Sequence, residues 1–250
     1  MFSWSRKSNS LPSSVNGQIF LDSTIFHWEE LKNILKDEWN IDIVEKPEGN
    51  TLIFSAENML AACTFFPHTA DIPKLDEYCK NSRLWGGSIN SAKSHKGFIS
   101  LTVTNGKSST ARYKLFTKIA GSICAMNSAL AVCLPPLVIS SRDYKCLALD
   151  MKYDELPVFL WVNFEFKMEK RGISAYTTGL SNFNKNEVEI IYSKKSFEKI
   201  FDFLSSFTKD MLRCECDMKT FLSCEKLKKR FSFKFSSGFY IKGKTLKIDY

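Results

Sequence analysis

Apolar positions along this chain alternate between a period of two and a period near 3.6, the signatures of half-buried strands and amphipathic helices. Gln18-Ile19-Phe20-Leu21 reads as a short strand. From Asp22 or Ser23 a helix is predicted through Trp39, because Ile25, Trp28, Leu31, Ile34, Leu35 and Trp39 recur at helical spacing with Glu, Lys and Asp between them. Pro47-Glu48-Gly49-Asn50 is a turn, and Thr51–Ser55 and Met59–Phe66 read as a hairpin around Ala56-Glu57-Asn58. Asp71 and Pro73 open a second helix through Cys79. Gly97–Asn105 alternates apolar residues with Ser and Thr and ends at Asn105-Gly106. A Ser/Thr cap at Ser108–Thr110 then starts a long helix, predicted over 110–132.

The second half carries its own pattern. Val158, Leu160, Val162, Phe164 and Phe166 predict a strand with Phe159, Trp161, Asn163 and Glu165 on its other face. Ile173–Thr177 and Glu187–Tyr192 are further strands. Ser196 caps a helix with Phe197, Ile200, Phe201, Leu204, Phe207 and Met211 on one face, and Phe231–Phe235 and Thr245–Ile248 close the chain as strands. The fold class is α/β in the α+β sense, with antiparallel or mixed sheets and helices on one face. The order strand–helix–strand–strand–helix–strand in the first 105 residues fits a ferredoxin-like split βαβ unit. The expected organisation is a Ser-rich tail over 1–14, a ferredoxin-like half over 15–106, and a second α/β half over 107–250 in which helix 110–132 bridges to the first, all in one compact unit.

A chain of 250 residues with 44% hydrophobic and 25% charged content can bury a core without staples. The first fourteen residues have no apolar stretch of the kind a signal peptide needs, so a cytoplasmic protein with its eight cysteines reduced is expected. The most apolar run, Ile119–Ile139, is interrupted by Ser122, Asn127 and Ser128 and by Pro135-Pro136, which argues against a membrane span. The net charge is +8, and between Lys80 and Arg142 there are nine basic residues and no acid. That block reads either as a solvated surface or as a face for an acidic partner.

Candidate chemistry is sparse. The only histidines are His27, His68 and His95, and no Gly-x-Ser-x-Gly elbow accompanies them. Cys214, Cys216 and Cys224 lack the spacing of a zinc site and read as unpaired thiols, so no metal or other cofactor is expected. Gly106-Lys107-Ser108-Ser109 resembles only the tail of a phosphate loop, because Leu101 stands where the first glycine belongs. Glu187 and Glu189 alternate on a strand and share one face, either for acid–base chemistry or simply toward solvent. Arg230-Phe231-Ser232-Phe233-Lys234-Phe235 interleaves basic and aromatic residues, but its three Phe share one face and are expected to point inward.

One stretch resembles a known family. Leu156-Pro157-Val158-Phe159-Leu160-Trp161-Val162, Ser174-Ala175-Tyr176-Thr177-Thr178-Gly179-Leu180, Phe183 and Glu187-Val188-Glu189-Ile190 are similar to the bacterial domain-of-unknown-function family 4261. The matched motif positions are Trp161, Thr178, Gly179, Glu187 and Glu189, and the family often has Gly where this chain has Asn184. Genes of that family often lie near secreted-toxin clusters, and the resemblance implies an immunity protein that binds and neutralises a cognate toxin or effector. Such a protein needs a rigid scaffold and a complementary surface and no catalytic group. Lys107, Arg112, Lys114 and Lys118 are the candidate contacts to an acidic toxin surface. The rival expectations are an enzyme, hydrolase-like, that uses Glu187, Glu189, Thr178 and His95, and a nucleic-acid-binding protein that uses the basic face.

Overall fold

The computed structural model describes residues 14–87, 89–214 and 216–250. The protein is an α+β fold built on two sheets. The first sheet contains β1 (Ser14–Leu21), β2 (Thr51–Ala56), β3 (Met59–Phe66), β4 (Gly97–Asn105), β5 (Ala129–Leu134) and β6 (Leu137–Ser140). Its spatial order is β2-β3-β4-β1-β5-β6, antiparallel throughout. The ferredoxin-like expectation is corrected here. That unit places its first strand between the third and fourth, whereas β4 lies between β3 and β1. Element order is the same in both arrangements, so only the pairing distinguishes them. The β2–β3 hairpin closes as expected, through Glu57 and Asn58, both left-handed (φ 52 and 60) as a twist-matched two-residue turn requires.

Helix α1 (Trp28–Trp39) starts later than its apolar spacing suggests. The Ser23 hydroxyl is bonded to the backbone of Ile25, a local turn that competes with helix initiation. Asn40 ends α1 in the left-handed conformation, its N–H on the carbonyls of Leu35 and Lys36. Helix α2 (Leu75–Asn81) and the short α3 (Ile89–Lys93) precede β4. Helix α4 (Ser109–Cys124) is capped by Ser108, whose hydroxyl accepts from the Ala111 N–H at 3.1 Å. It stops at Cys124, well short of 132, because Ala129–Leu134 pairs with β1. An apolar run of that kind serves a helix or a central strand equally well. The change of sheet therefore falls after Ser140, and the expected boundary at 106 places two strands of the first sheet in the wrong half. Of the expected tail, 1–13 lie outside the described residues, and Ser14 already belongs to β1.

The second sheet contains β7 (Asn163–Glu169), β8 (Gly172–Thr178), β9 (Val188–Ser193), β10 (Ser232–Ser237) and β11 (Lys244–Asp249) in the order β10-β11-β9-β8-β7, with β11 parallel to β9. Helix α5 (Ser141–Leu149) leads from the first sheet toward it. Helices α6 (Phe197–Arg213), α7 (Met218–Leu222) and α8 (Glu225–Lys228) connect β9 to β10. One continuous core runs through both halves, with α4 residues such as Phe116 and Ile119 joined to Trp161, Leu180 and Leu204. A smaller cluster on the first sheet packs Phe20, Phe98 and Val138 against Leu75 and Cys79 of α2 and Ala92 of α3. Helices therefore cover parts of both faces of that sheet, where one face was expected. Among the described residues no helix is long and apolar enough to cross a membrane.

Candidate functional site

The carboxylates that looked paired on one strand are held by different neighbours. Glu187, just before β9, accepts from the Thr177 hydroxyl at 2.8 Å and from the N–H groups of Gly179 and Ser181 at 2.9 and 3.1 Å. Burial pushes its carboxyl above the ordinary range, although these hydrogen bonds pull the other way. Gly179 has φ +116, and a Cβ there would lie 2.8 Å from the Trp161 carbonyl oxygen, so Trp161, Gly179 and Glu187 form one packed turn. The hydroxyl that bonds Glu187 belongs to Thr177, not to the singled-out Thr178. Asn184 is left-handed (φ 56), a conformation Asn tolerates nearly as Gly does, so its place in this turn is explained.

Glu189 faces no solvent, being 0% exposed, so the expected solvent face is corrected. Its carboxylate accepts from the N–H groups of Phe239 (3.0 Å), Tyr240 (2.7 Å) and Ile241 (3.3 Å) and from the Thr245 hydroxyl (2.8 Å). Lys247 stands 3.4 Å away. Burial opposes the charge, but these bonds and the lysine outweigh it and hold the carboxyl below the ordinary range. The strands flanking β9, β8 on one side and β11 on the other, together with the loops beside them, thus capture the two carboxylates. The structural role is the same for both: carboxyl oxygens accept from the orphan N–H groups of a tight loop.

The Glu189 anchor presents an aromatic face. The β10–β11 loop turns at Gly238, where a Cβ would sit 1.9 Å from the Ile241 carbonyl oxygen. Its neighbour Phe239 is 57% exposed although its backbone is fastened to a buried carboxylate. Phe239 meets Tyr192 edge-on (5.9 Å between ring centroids) and lies 4.8 Å from Tyr240, which stacks on Tyr176 at 5.1 Å. Arg171 sits over the Tyr192 ring at 5.3 Å. The Tyr240 hydroxyl donates to Glu169, and partial burial together with this bond pushes its own pKa up to about 12. Tyr192 itself is left-handed (φ 52), next to an irregularity in the β8–β9 pairing, and its N–H is caught by the Ser174 hydroxyl. A bulky residue in that region is strained, and such irregularities re-aim side chains at functional surfaces. Lys170, Arg171, Lys194 and Lys242 on the adjoining turns are exposed. The sequence carried one overlooked signal for this face: Phe239 and Tyr240 inside a loop bounded by Gly238 and Gly243.

The other nominated residues lie elsewhere. His95 is 1% exposed and stacks on Phe20 at 4.3 Å. Its Nε2 accepts from the Ala70 N–H at 2.7 Å, so Nδ1 carries the proton and donates to the Ala92 carbonyl at 2.7 Å. Burial lowers its pKa. Both ring nitrogens are occupied and none of its bonds reaches Glu187 or Glu189. The basic quartet is not one exposed set. Lys107 is exposed and Lys114 half-buried, but Arg112 is 6% exposed and donates to the Asn105 carbonyl and the Ser109 hydroxyl. Lys118 pairs with Glu57 and lies 5.7 Å from the Trp39 ring centroid. The acid-free block of sequence acquires acids in three dimensions, with Asp76 on Lys93 and Asp22 on Lys96 as further pairs.

Cys214 and Cys216 are joined as a disulfide, which corrects the expectation of unpaired thiols; their Cα atoms are 5.3 Å apart, within bridging range. Among the described residues no three His, Cys, Asp or Glu gather as a metal site. Phe231 and Phe233 pack on Phe203 and Phe207 of α6, as an inward ladder does, while staying partly open to solvent. Comparison with protein-family models, with curated proteins and with solved structures finds no match to this chain.

Proposed function

We propose that this chain is a non-catalytic binding protein, and that it holds a partner protein against the face formed by Arg171, Tyr192, Phe239 and Tyr240. The observation that carries this reading is the rigid, exposed aromatic loop: Glu189 fixes three consecutive backbone N–H groups and leaves Phe239 facing outward. Aromatic and Arg side chains on a preorganised backbone supply contact area at low entropic cost and dominate protein interfaces. The exposed lysines beside them favour an acidic partner surface. The commitment of Glu187, Glu189 and His95 to internal hydrogen bonds supports binding over catalysis. The specific form of the proposal, neutralisation of a toxin domain in the cytoplasm, rests on the resemblance carried by Trp161, Thr178, Gly179, Glu187 and Glu189.

The test compares the protein with a Phe239→Ala, Arg171→Glu double variant as bait in its native host, followed by co-expression with each protein captured. The expected result is one stoichiometric partner that arrests growth when expressed alone, is neutralised by the wild type and escapes the double variant. Equal capture by both baits would remove the aromatic face from the proposal. Turnover of an ester, phosphate or glycoside substrate by the pure protein, lost in Glu187→Gln, would replace binding with catalysis.

A further inference from the structure

The strand expected over Val158–Phe166 does not begin until Asn163, because Val158–Leu160 forms a 3-10 turn after Pro157. That turn breaks the period of two. Trp161, expected on the outer face, goes into the core, and Phe159 is left beside Phe164 and Phe201 at 5.3 and 5.4 Å. A cavity of about 230 Å³ opens to solvent beside it. One wall is Leu137, Ile139 and Leu147 from the first sheet and α5; the other is Phe159, Val162 and Phe201 from the second half. The two halves thus meet around an apolar slot, where small-molecule sites commonly form.

The polar groups at its rim differ in their commitments. The Ser82 hydroxyl accepts from the Val138 N–H at 2.8 Å, and the Asn163 amide donates to Glu165 at 2.8 Å. Arg83 is exposed, and its guanidinium lies 4.9 Å from the Phe166 ring centroid and 5.9 Å from that of Phe197. Among the described residues Arg83 makes no ion pair. A guanidinium seated on aromatic faces keeps its N–H edges for a planar anion, which it grips through two parallel hydrogen bonds. An apolar cavity of roughly 150 Å³ holds one benzene ring. By proportion this slot holds an apolar body of about eight or nine non-hydrogen atoms.

We infer that the slot between the two halves binds a small amphiphilic carboxylate, with its aliphatic or aromatic body among Leu147, Phe159 and Phe201 and its carboxylate on Arg83. This site is separate from the aromatic loop and does not depend on the protein-binding proposal. The probes are octanoate, octanol and octylamine, titrated calorimetrically into the full chain. Octanoate binds saturably at one site, and octylamine does not bind. Arg83→Gln weakens octanoate by about tenfold or more, as the loss of a charge-assisted pair requires, and leaves octanol within about twofold. Leu147→Trp, at the partly exposed mouth, abolishes binding of both, with a thermal melt to show that the variant is folded. Two outcomes would overturn the inference: octylamine binding as well as octanoate, or Arg83→Gln holding octanoate as tightly as the wild type. Absence of saturable octanoate binding to the wild type does the same.

Discussion

The Trp161 indole N–H donates to the Thr117 hydroxyl at 2.8 Å, and both side chains are cut off from solvent. Thr117 lies on α4, against the first sheet, and Trp161 leads into the second, so this bond stitches the two halves inside the core. Thr117→Val keeps the shape and removes the acceptor. It strands a buried donor and is expected to cost about 1–3 kcal/mol in urea unfolding. Wild-type stability in Thr117→Val would mean that the indole has found another acceptor.

Glu187 and Glu189 respond oppositely to pH. The folded pKa of Glu189 is lowered, so its stabilisation is present above the unfolded value of 4.5 and is lost as pH falls through the folded one. The folded pKa of Glu187 is raised, so its contribution is present below 4.5 and is lost as pH rises through the folded value. Going from pH 4 to 7, the wild type gains on Glu189→Gln and loses ground to Glu187→Gln. Unfolding curves at the two pH values check the crossing. Hydrogen exchange in Glu189→Gln should accelerate at Phe239 and Tyr240 first.

Gly179 tolerates no side chain. Its φ of +116 is a glycine conformation, and the added Cβ meets backbone that cannot swing aside. Gly179→Ala is expected to destabilise by about 1–3 kcal/mol, the usual cost of forced backbone strain. Retention of the wild-type midpoint in Gly179→Ala would show that the Trp161 carbonyl can move.

His95 is a neutral brace. Because its folded pKa lies below 6.5, stability is full above that value and falls as pH drops through the folded pKa. An NMR titration of its ring protons should show a midpoint below 6.5 and the Nδ1–H tautomer that the Ala92 contact requires. A midpoint above 6.5 contradicts the buried double hydrogen bond. Loss of His95 should loosen Ala70 and its loop and leave partner binding intact.

Much of the architecture was legible as period. β4 runs from Gly97 to Asn105 as its alternation predicts, and α6 follows the apolar face from Phe197 to Met211. Ser108 caps its helix and Glu57-Asn58 turns its hairpin, because these depend on neighbours along the chain. Where a segment's neighbours were distant, periodicity misled. The run after Cys124 became β5 where β1 and β6 offered pairing edges, and Val158–Leu160 became a turn after Pro157 that leaves Trp161 on the Thr117 hydroxyl.

Charge and chemistry were least legible, since they depend on what packs beside each group. A basic block acquired acids from the β2–β3 hairpin and from α2. Two glutamates at strand spacing became loop anchors because the turn after β8 and the β10–β11 loop brought them uncapped N–H groups. Sequence by itself determined the α+β class, the strands and helices with clean local spacing such as β4 and α6, and the absence of local catalytic and phosphate-loop motifs, all set by short-range sterics and hydrophobic spacing. Tertiary structure alone decided strand order, the fate of each buried charge, and the exposure of Phe239. Those outcomes turn on which distant backbone donor or apolar surface satisfies a residue, and spacing along a chain does not encode that.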